Sequence, residues 1–191
     1  MTPACLIVLG GLPGTGKTTV ARPLARALGA AYLRIDTIEQ ALVDSGELTA
    51  PPRVAGYVAG YALARDQLGN GVDVVAECVN PLKLTRDAWR AAGTGFPVLE
   101  VELVCSDPAE HRARVEGRVS DLPGLRLPTW QEVVAREYEP WDRERLTIDT
   151  ASVGATRSVE VILAALRLHG FSGSSVRRAA RRTARGRRGR G

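Results

Sequence analysis

The segment Gly11-Leu-Pro-Gly-Thr-Gly-Lys-Thr-Thr19 sets glycines, one lysine and a run of hydroxyls at the spacing Gly-x4-Gly-Lys-Thr. That pattern can hold a polyphosphate. Gly11, Gly14 and Gly16 tolerate positive φ, so backbone N–H groups, including those of Leu12, Pro13's neighbours and Thr15, can turn inward around an anion. A helix opening near Lys17 aims its positive end at the same anion. Lys17 can set its ammonium on the β- and γ-phosphates, and the Thr18 hydroxyl suits a Mg2+ ion. The alternative is a glycine-rich turn that binds nothing. The apolar run Leu6–Leu9 before the loop and the helical pattern after Lys17 supply the context that favours a nucleotide such as ATP.

Elements must position these residues. Apolar runs predict strands over 4–10, 31–35, 72–77, 98–105 and 146–148. Helical spacing predicts helices over 17–28, about 38–42, 54–69, 82–92, 108–118, 129–137 and 155–168. Residues 44–53 read as a surface loop, and the Leu-Pro-Gly and Leu-Pro signals within 119–128 mark a mobile excursion. Alternation of strands and helices predicts an α/β chain with a five-stranded parallel sheet sandwiched by helices.

In such a sheet, ligands meet the carboxyl ends of the strands. Four stations are therefore expected to converge on one crevice: the phosphate loop, Asp36 beside Arg34, Glu77 with Asn80, and Ser106 with Asp107. Asp36 is the sharpest. A carboxylate there can orient or deprotonate a hydroxyl attacking a γ-phosphate. It also suits an N-cap for a helix starting at Thr37, with Glu39 completing a capping box; the two roles can coexist.

Composition narrows the class. The chain has 191 residues and 45% hydrophobic content, enough for one domain with a full core. Its apolar runs are too short to span a membrane. Cys5, Cys78 and Cys105 lie far apart in or beside strand-like runs, which predicts reduced, buried thiols in a cytoplasmic protein. Lysine occurs only at 17 and 83. The net charge of +5 includes eight arginines within 172–191, where no acidic residue occurs, so the remaining body stands at −3. Val176 is the one aliphatic residue larger than alanine in that stretch. Residues 171–191 are therefore expected to form a disordered tail, beyond a single domain over 1–170. Such a tail attracts nucleic-acid phosphates without reading sequence, but the acidic body offers no matching groove, and a solvated extension is the favoured reading.

The combination of Gly11–Thr19, Arg34-Ile-Asp-Thr37, Val74-Val-Ala-Glu-Cys-Val-Asn-Pro81 and Thr85-Arg-Asp-Ala-Trp89 resembles small P-loop kinases. The kinase domain of polynucleotide kinases, chloramphenicol phosphotransferase and gluconate kinase-like proteins are the look-alikes, over about residues 4–150. The resemblance implies the P-loop NTPase fold with a small helical lid at about 112–128. It also implies ATP and Mg2+ as cofactors, Asp36 as general base, and Glu77 where those families often carry Asp. Related kinases carry arginines on the helix entering the lid, so Arg114 and Arg118 are expected to stabilise the transferring phosphoryl group, with Arg126 a weaker member. A solvated basic face paired with Glu110 and Glu116 is the alternative. Arg53, Tyr57 and Tyr61 fall where these kinases build the acceptor pocket, and Arg86 could meet substrate, whereas Trp89 suits the core. His111 and His169 have no partners by spacing. Tyr138-Glu-Pro-Trp141 is expected to turn the chain toward the fifth strand, near an adenine.

The activity implied is transfer of the γ-phosphate of ATP to a hydroxyl of a small metabolite or antibiotic. The rivals are a kinase of nucleic-acid 5′ ends or tRNA, and a nucleotide-binding switch or ATPase without an acceptor.

Overall fold

The structure is a computed structural model and describes residues 3–47 and 54–168. Arg53, His169 and the arginine-rich tail lie outside the described residues. Leu6–Gly10 (β1) is apolar and fully buried, as a parallel strand covered on both faces must be. Its partners are Val74–Glu77 (β3) on one side and Val98–Val104 (β4) on the other. Ala31–Arg34 (β2) extends the sheet beyond β3, and Leu146–Asp149 (β5) extends it beyond β4. All pairings are parallel, in the order β2-β3-β1-β4-β5. The chain therefore leaves β1 for the edge and later crosses to the far side, which opens a crevice at the carboxyl ends.

Helices cover both faces. Lys17–Leu28 (α1) buries Val20, Ala21, Leu24, Ala25 and Leu28, and it packs with Ala155–Leu168 (α7) over Ile7, Leu9, Val101 and Ile148. On the opposite face, Ile35–Asp44 (α2), Ala55–Gly69 (α3) and Lys83–Ala92 (α4) bring Ile35, Leu68 and Trp89 against Leu6, Val8 and Val74. Pro108–Glu116 (α5) and the short Trp130–Val134 (α6) flank the excursion between them.

Most elements fall where the sequence placed them, and the departures have local causes. Helix α5 ends at Glu116, because Gly117 closes it by a backbone bond to the Ala113 carbonyl. Arg118 therefore lies beyond the helix that was expected to carry it. Helix α6 stops at Val134, since the chain beyond is drawn out by the grip of Arg86 on the Glu139 and Pro140 carbonyls. The excursion at 119–128 contains turns and no helix. Cys5 and Cys78 are buried as expected, but Cys105 is half-exposed, since it follows the end of β4.

Candidate active site

The phosphate loop leaves β1 and feeds α1. Gly11, Gly14 and Gly16 all take positive φ, as the nest of inward N–H groups requires. Gly14 has a second reason to lack a side chain: a Cβ there would stand 2.6 Å from Val115 Cγ2 and 3.1 Å from the His111 ring. Helix α5 is packed directly beneath the loop. Lys17 donates to the Leu12 carbonyl at 2.9 Å, which holds its ammonium over the loop. Burial pulls the Lys17 pKa below its ordinary value, while Glu77 and Asp36 oppose that shift and Arg118 adds to it. The Thr18 hydroxyl donates to Glu77 Oε1 at 2.5 Å, and the Tyr32 hydroxyl donates to Oε2.

A cavity of about 1250 Å³ opens in front of the loop. Gly14, Gly16, Lys17, Thr18 and Thr19 form one end, with Arg114, Arg118 and the 150–155 segment after β5. Glu77, bonded to Thr18, lies beside the loop, and Asp36, Glu39, Tyr57, Val79 and Pro81 line the cavity further along, with Arg126 and Arg136. Gly124 to Pro128 of the excursion close a further side. Asp121 docks that excursion: it accepts from Arg34 Nη1 at 2.9 and 3.0 Å and from Arg22. These arginines hold its carboxyl below the usual carboxylate range.

Several expected residues stand elsewhere. Asp36 is not an N-cap; Arg34 precedes the helix without a capping side chain, and Asp36 occupies the first turn of α2. There it faces the cavity, with Arg34 Nη2 3.5 Å from its carboxylate. Arg34 itself is buried off the cavity wall, tied to Asp121 and Asp36. Arg86 is fully buried and cannot meet substrate. Its guanidinium donates to the carbonyls of Asn80, Pro81, Glu139 and Pro140 and stacks 4.3 Å over Trp141. The segment Tyr138–Trp141 is thereby anchored to Arg86, the turn at Pro81 and Glu102 of β4, and does not line the cavity. Tyr61 donates to the Thr85 carbonyl and packs edge-on against Trp89, so it serves the core. Trp89 is buried, as its spacing suggested.

Asn80 is buried with φ 54°, and its N–H donates to the Tyr57 hydroxyl at 3.0 Å. It shapes the turn beside the loop, where Gly11 donates to the Val79 carbonyl. Ser106 is clasped by Asp149 and Asp107 caps α5, so the fourth station does not reach the cavity. Arg114 lines the cavity, but its donors are engaged by Glu110 at 2.5 Å, the Thr150 hydroxyl at 2.8 Å and the Thr150 carbonyl at 2.9 Å. Arg118 lines it without an ion pair or hydrogen bond to any described residue. Arg126 is at the rim, paired with Glu132.

Comparison with known proteins settles the family. A family model described as an AAA domain matches residues 6–136. The chain belongs to this AAA domain family. A protein of Aeropyrum pernix named "Probable adenylyl-sulfate kinase" is 28% identical over 77% of this chain and 84% of its own length. An uncharacterized protein of Mycobacterium bovis is 39% identical over 76% of this chain, which spans 32% of that relative's length. Among solved structures, the Mycobacterium tuberculosis APS kinase in complex with AMPPNP and APS superposes with a TM-score of 0.66 at 17% identity, covering 87% of this chain and 99% of that one. A gluconokinase from Sinorhizobium meliloti gives 0.57 at 21%, covering 90% and 98%. The AAA domain here has the small P-loop kinase fold.

Three parts of this AAA domain site escaped the sequence. Thr150 bridges the loop and the sheet, its hydroxyl within 3.1 Å of the Thr15 carbonyl and 3.0 Å of the Val104 carbonyl. His111 is buried and donates from Nε2 to the Pro13 carbonyl at 2.8 Å, with its ring edge-on to Trp130. Glu39 enters the cavity one turn beyond Asp36. A lone His, Thr or Glu carries no spacing signal; only the threefold step from Asp36 to Glu39 could have drawn attention to the last.

Thr18 and Glu77 fit a Mg2+ ion chemically, because a hydroxyl and a carboxylate are hard oxygen donors within 2.5 Å of each other at the loop. No cluster of three or more His, Cys, Asp or Glu side chains stands ready for a metal among the described residues. Phosphate oxygens and water would complete such a site, as Mg2+ prefers. Among the described residues no helix is long and apolar enough to cross a membrane.

Proposed function

We propose that this protein is an ATP-dependent phosphotransferase that moves the γ-phosphate to a hydroxyl of a small molecule. The observation that carries the reading is that Asp36 lines the same cavity as Lys17 and Thr18, close enough for its charge to oppose the lowering of the Lys17 pKa by burial. A carboxylate facing the end of a phosphate cradle can accept the proton of an attacking hydroxyl. Lys17 holds the β- and γ-phosphates, and Arg118, without an ion pair or hydrogen bond to any described residue, turns its guanidinium to the charge that develops on transfer. Arg114 braces the phosphate loop by holding Thr150, whose hydroxyl bonds the Thr15 carbonyl. Mg2+, held by Thr18 and Glu77, would neutralise charge on the phosphates. The wall from Gly124 to Pro128 acts as a lid that excludes water.

A nucleic-acid acceptor draws less support, because Asp36 and Glu39 put two carboxylates where a phosphate backbone would have to enter. The test is a screen of hydroxylated metabolites, antibiotics and nucleic-acid 5′ ends with γ-labelled ATP. Label is expected in a small alcohol, with negligible hydrolysis in its absence. Rapid hydrolysis that no acceptor accelerates would instead identify an ATPase or switch.

A further inference from the structure

Two carboxylates bridge the same seam of the fold, one from the sheet and one from the excursion. Thr18 and Arg22 stand four apart on α1, so they share one of its faces. Tyr32 and Arg34 stand two apart on β2 and share one face of the sheet. Glu77 of β3 accepts from Thr18 and Tyr32. Asp121 accepts from Arg22 and from Arg34 Nη1. Each carboxylate thus takes one donor from α1 and one from β2. Glu77 is fixed in the sheet, whereas Asp121 brings in a segment with few other ties. Among the described residues, the one other hydrogen bond or ion pair that leaves 119–128 joins Arg126 to Glu132 of the neighbouring helix α6.

Arg34 connects this contact to the chemistry. Its side chain is 2% exposed, and its Nε and Nη2 have no hydrogen-bond partner. Nη2 stands 3.5 Å from the Asp36 carboxylate, an ion pair without a hydrogen bond. Burial opposes the guanidinium charge, while Asp121, Glu77 and Asp36 stabilise it. A buried charge keeps its place through hydrogen bonds of good geometry, and both side-chain hydrogen bonds of Arg34 go to Asp121. The cation beside Asp36 is therefore positioned by a residue of the excursion. The excursion also lies against α2, the helix that carries Asp36: a Cβ on Gly124 would stand 3.0 Å from Gln40 Nε2.

We propose that Asp121 is the latch that seats the excursion over the cavity, and that Arg34 is a positioning residue that carries this seating to Asp36. With the latch made, the wall from Gly124 to Pro128 closes the cavity and the Arg34 guanidinium is fixed where it steadies the Asp36 carboxylate. With the latch broken, the excursion loses its hydrogen bonds to α1 and β2, and Arg34 loses the acceptor that fixes it. Closing the cavity and setting the base are then one event. The coupling rests on the reading of Asp36 as base of a kinase, whereas the latch does not.

The experiment uses the full chain and has two arms. Backbone hydrogen exchange with Mg2+ and AMPPNP present reads the latch. Asp121→Ala should speed exchange over 119–128 roughly 10–100-fold, the scale for losing hydrogen bonds to a charged group, while β1 and β3 exchange as before. Arg22→Ala, at a half-exposed side chain, should speed it by no more than about fivefold. Should Asp121→Ala fail to fold, Asp121→Asn, which keeps one acceptor oxygen, is read in its place. Unchanged exchange over 119–128, or an equal rise in β1, overturns the latch. The coupling is read from a cycle of Asp121→Ala with Asp36→Asn, by single-turnover transfer of γ-label to an alcohol found in the screen above. Asp121→Ala alone should slow transfer about 10-fold, but by about twofold or less where Asp36→Asn has already removed the base. Equal slowing in both backgrounds overturns the coupling and leaves the kinase intact. Label in no alcohol overturns the kinase reading and the coupling with it, and the exchange arm still decides the latch.

Discussion

The two ends of the cavity are built by different means. The phosphate end is a backbone device, in which glycines at positive φ and a helix N-terminus present N–H groups, and side chains from α1 and α5 add charge. The acceptor end is a side-chain device, assembled from α2, α3, the turn after β3 and the excursion at 124–128. A backbone device needs particular residues at particular spacings, because few sequences reach its φ angles. A side-chain device needs only that several elements meet, and many sequences achieve that.

The comparison breaks most severely at Lys17. Lys17→Met should lower kcat/KM by at least about 10²–10³-fold, the scale for removing a preorganised charge from a developing anion, while the protein keeps its melting temperature. Activity assays with calorimetry on the same samples check both halves.

A second test separates the two cavity arginines. Arg118→Ala should depress kcat by about 10³-fold, within the range for arginines that contact the transferring group. Arg114→Ala should act mainly on nucleotide KM and stability, because its donors serve Thr150 and Glu110. Equal losses in kcat for both would erase the distinction drawn between them.

Arg86 probes the scaffold behind the acceptor end. Arg86→Met takes the side-chain donor from the Asn80, Glu139 and Pro140 carbonyls and one of two donors from the Pro81 carbonyl, and should cost about 2–4 kcal/mol in denaturant unfolding, on the scale of 1–3 kcal/mol per unsatisfied buried group with partial relaxation. Nucleotide affinity should change little at temperatures where the variant is folded.

The smallest effect concerns Glu39 and pH. Its pKa rises on folding from 4.5 to about 7, so the folded state binds the proton more tightly than the unfolded one. The resulting penalty is absent below the unfolded value, grows between the two, and is complete above the folded one. Glu39→Gln should therefore raise the melting temperature at pH 8 by about 2–4 °C, with a smaller gain toward pH 5. A gain that is independent of pH would show that charge is not its cause.

The sequence made the phosphate end legible because the motif and the geometry are the same fact: Gly11, Gly14 and Gly16 were expected at positive φ and are found there. The five-stranded parallel sheet followed from alternation and apolar runs, whereas its strand order did not. Asp36 was legible by its place after β2, although the helix begins one residue before it and the capping role disappears. Arg86 and Tyr61 misled because polarity and helical position do not reveal where a carbonyl or an indole waits; both are absorbed by tertiary partners distant in the chain. Thr150 and His111 were invisible for the converse reason. Each acts on the loop from more than 90 residues away in sequence, Thr150 across 135 positions and His111 across 98.

The central claim, that a backbone-built donor site faces a carboxylate that activates an acceptor, is tested most directly by Asp36→Asn. Single-turnover transfer of label to an acceptor and equilibrium binding of Mg·ATP should be measured on the same preparation. The account predicts transfer slowed by about 10²–10⁴-fold, with Mg·ATP affinity within about threefold of the unmodified protein. Transfer at an undiminished rate, or a loss confined to nucleotide affinity, would contradict it.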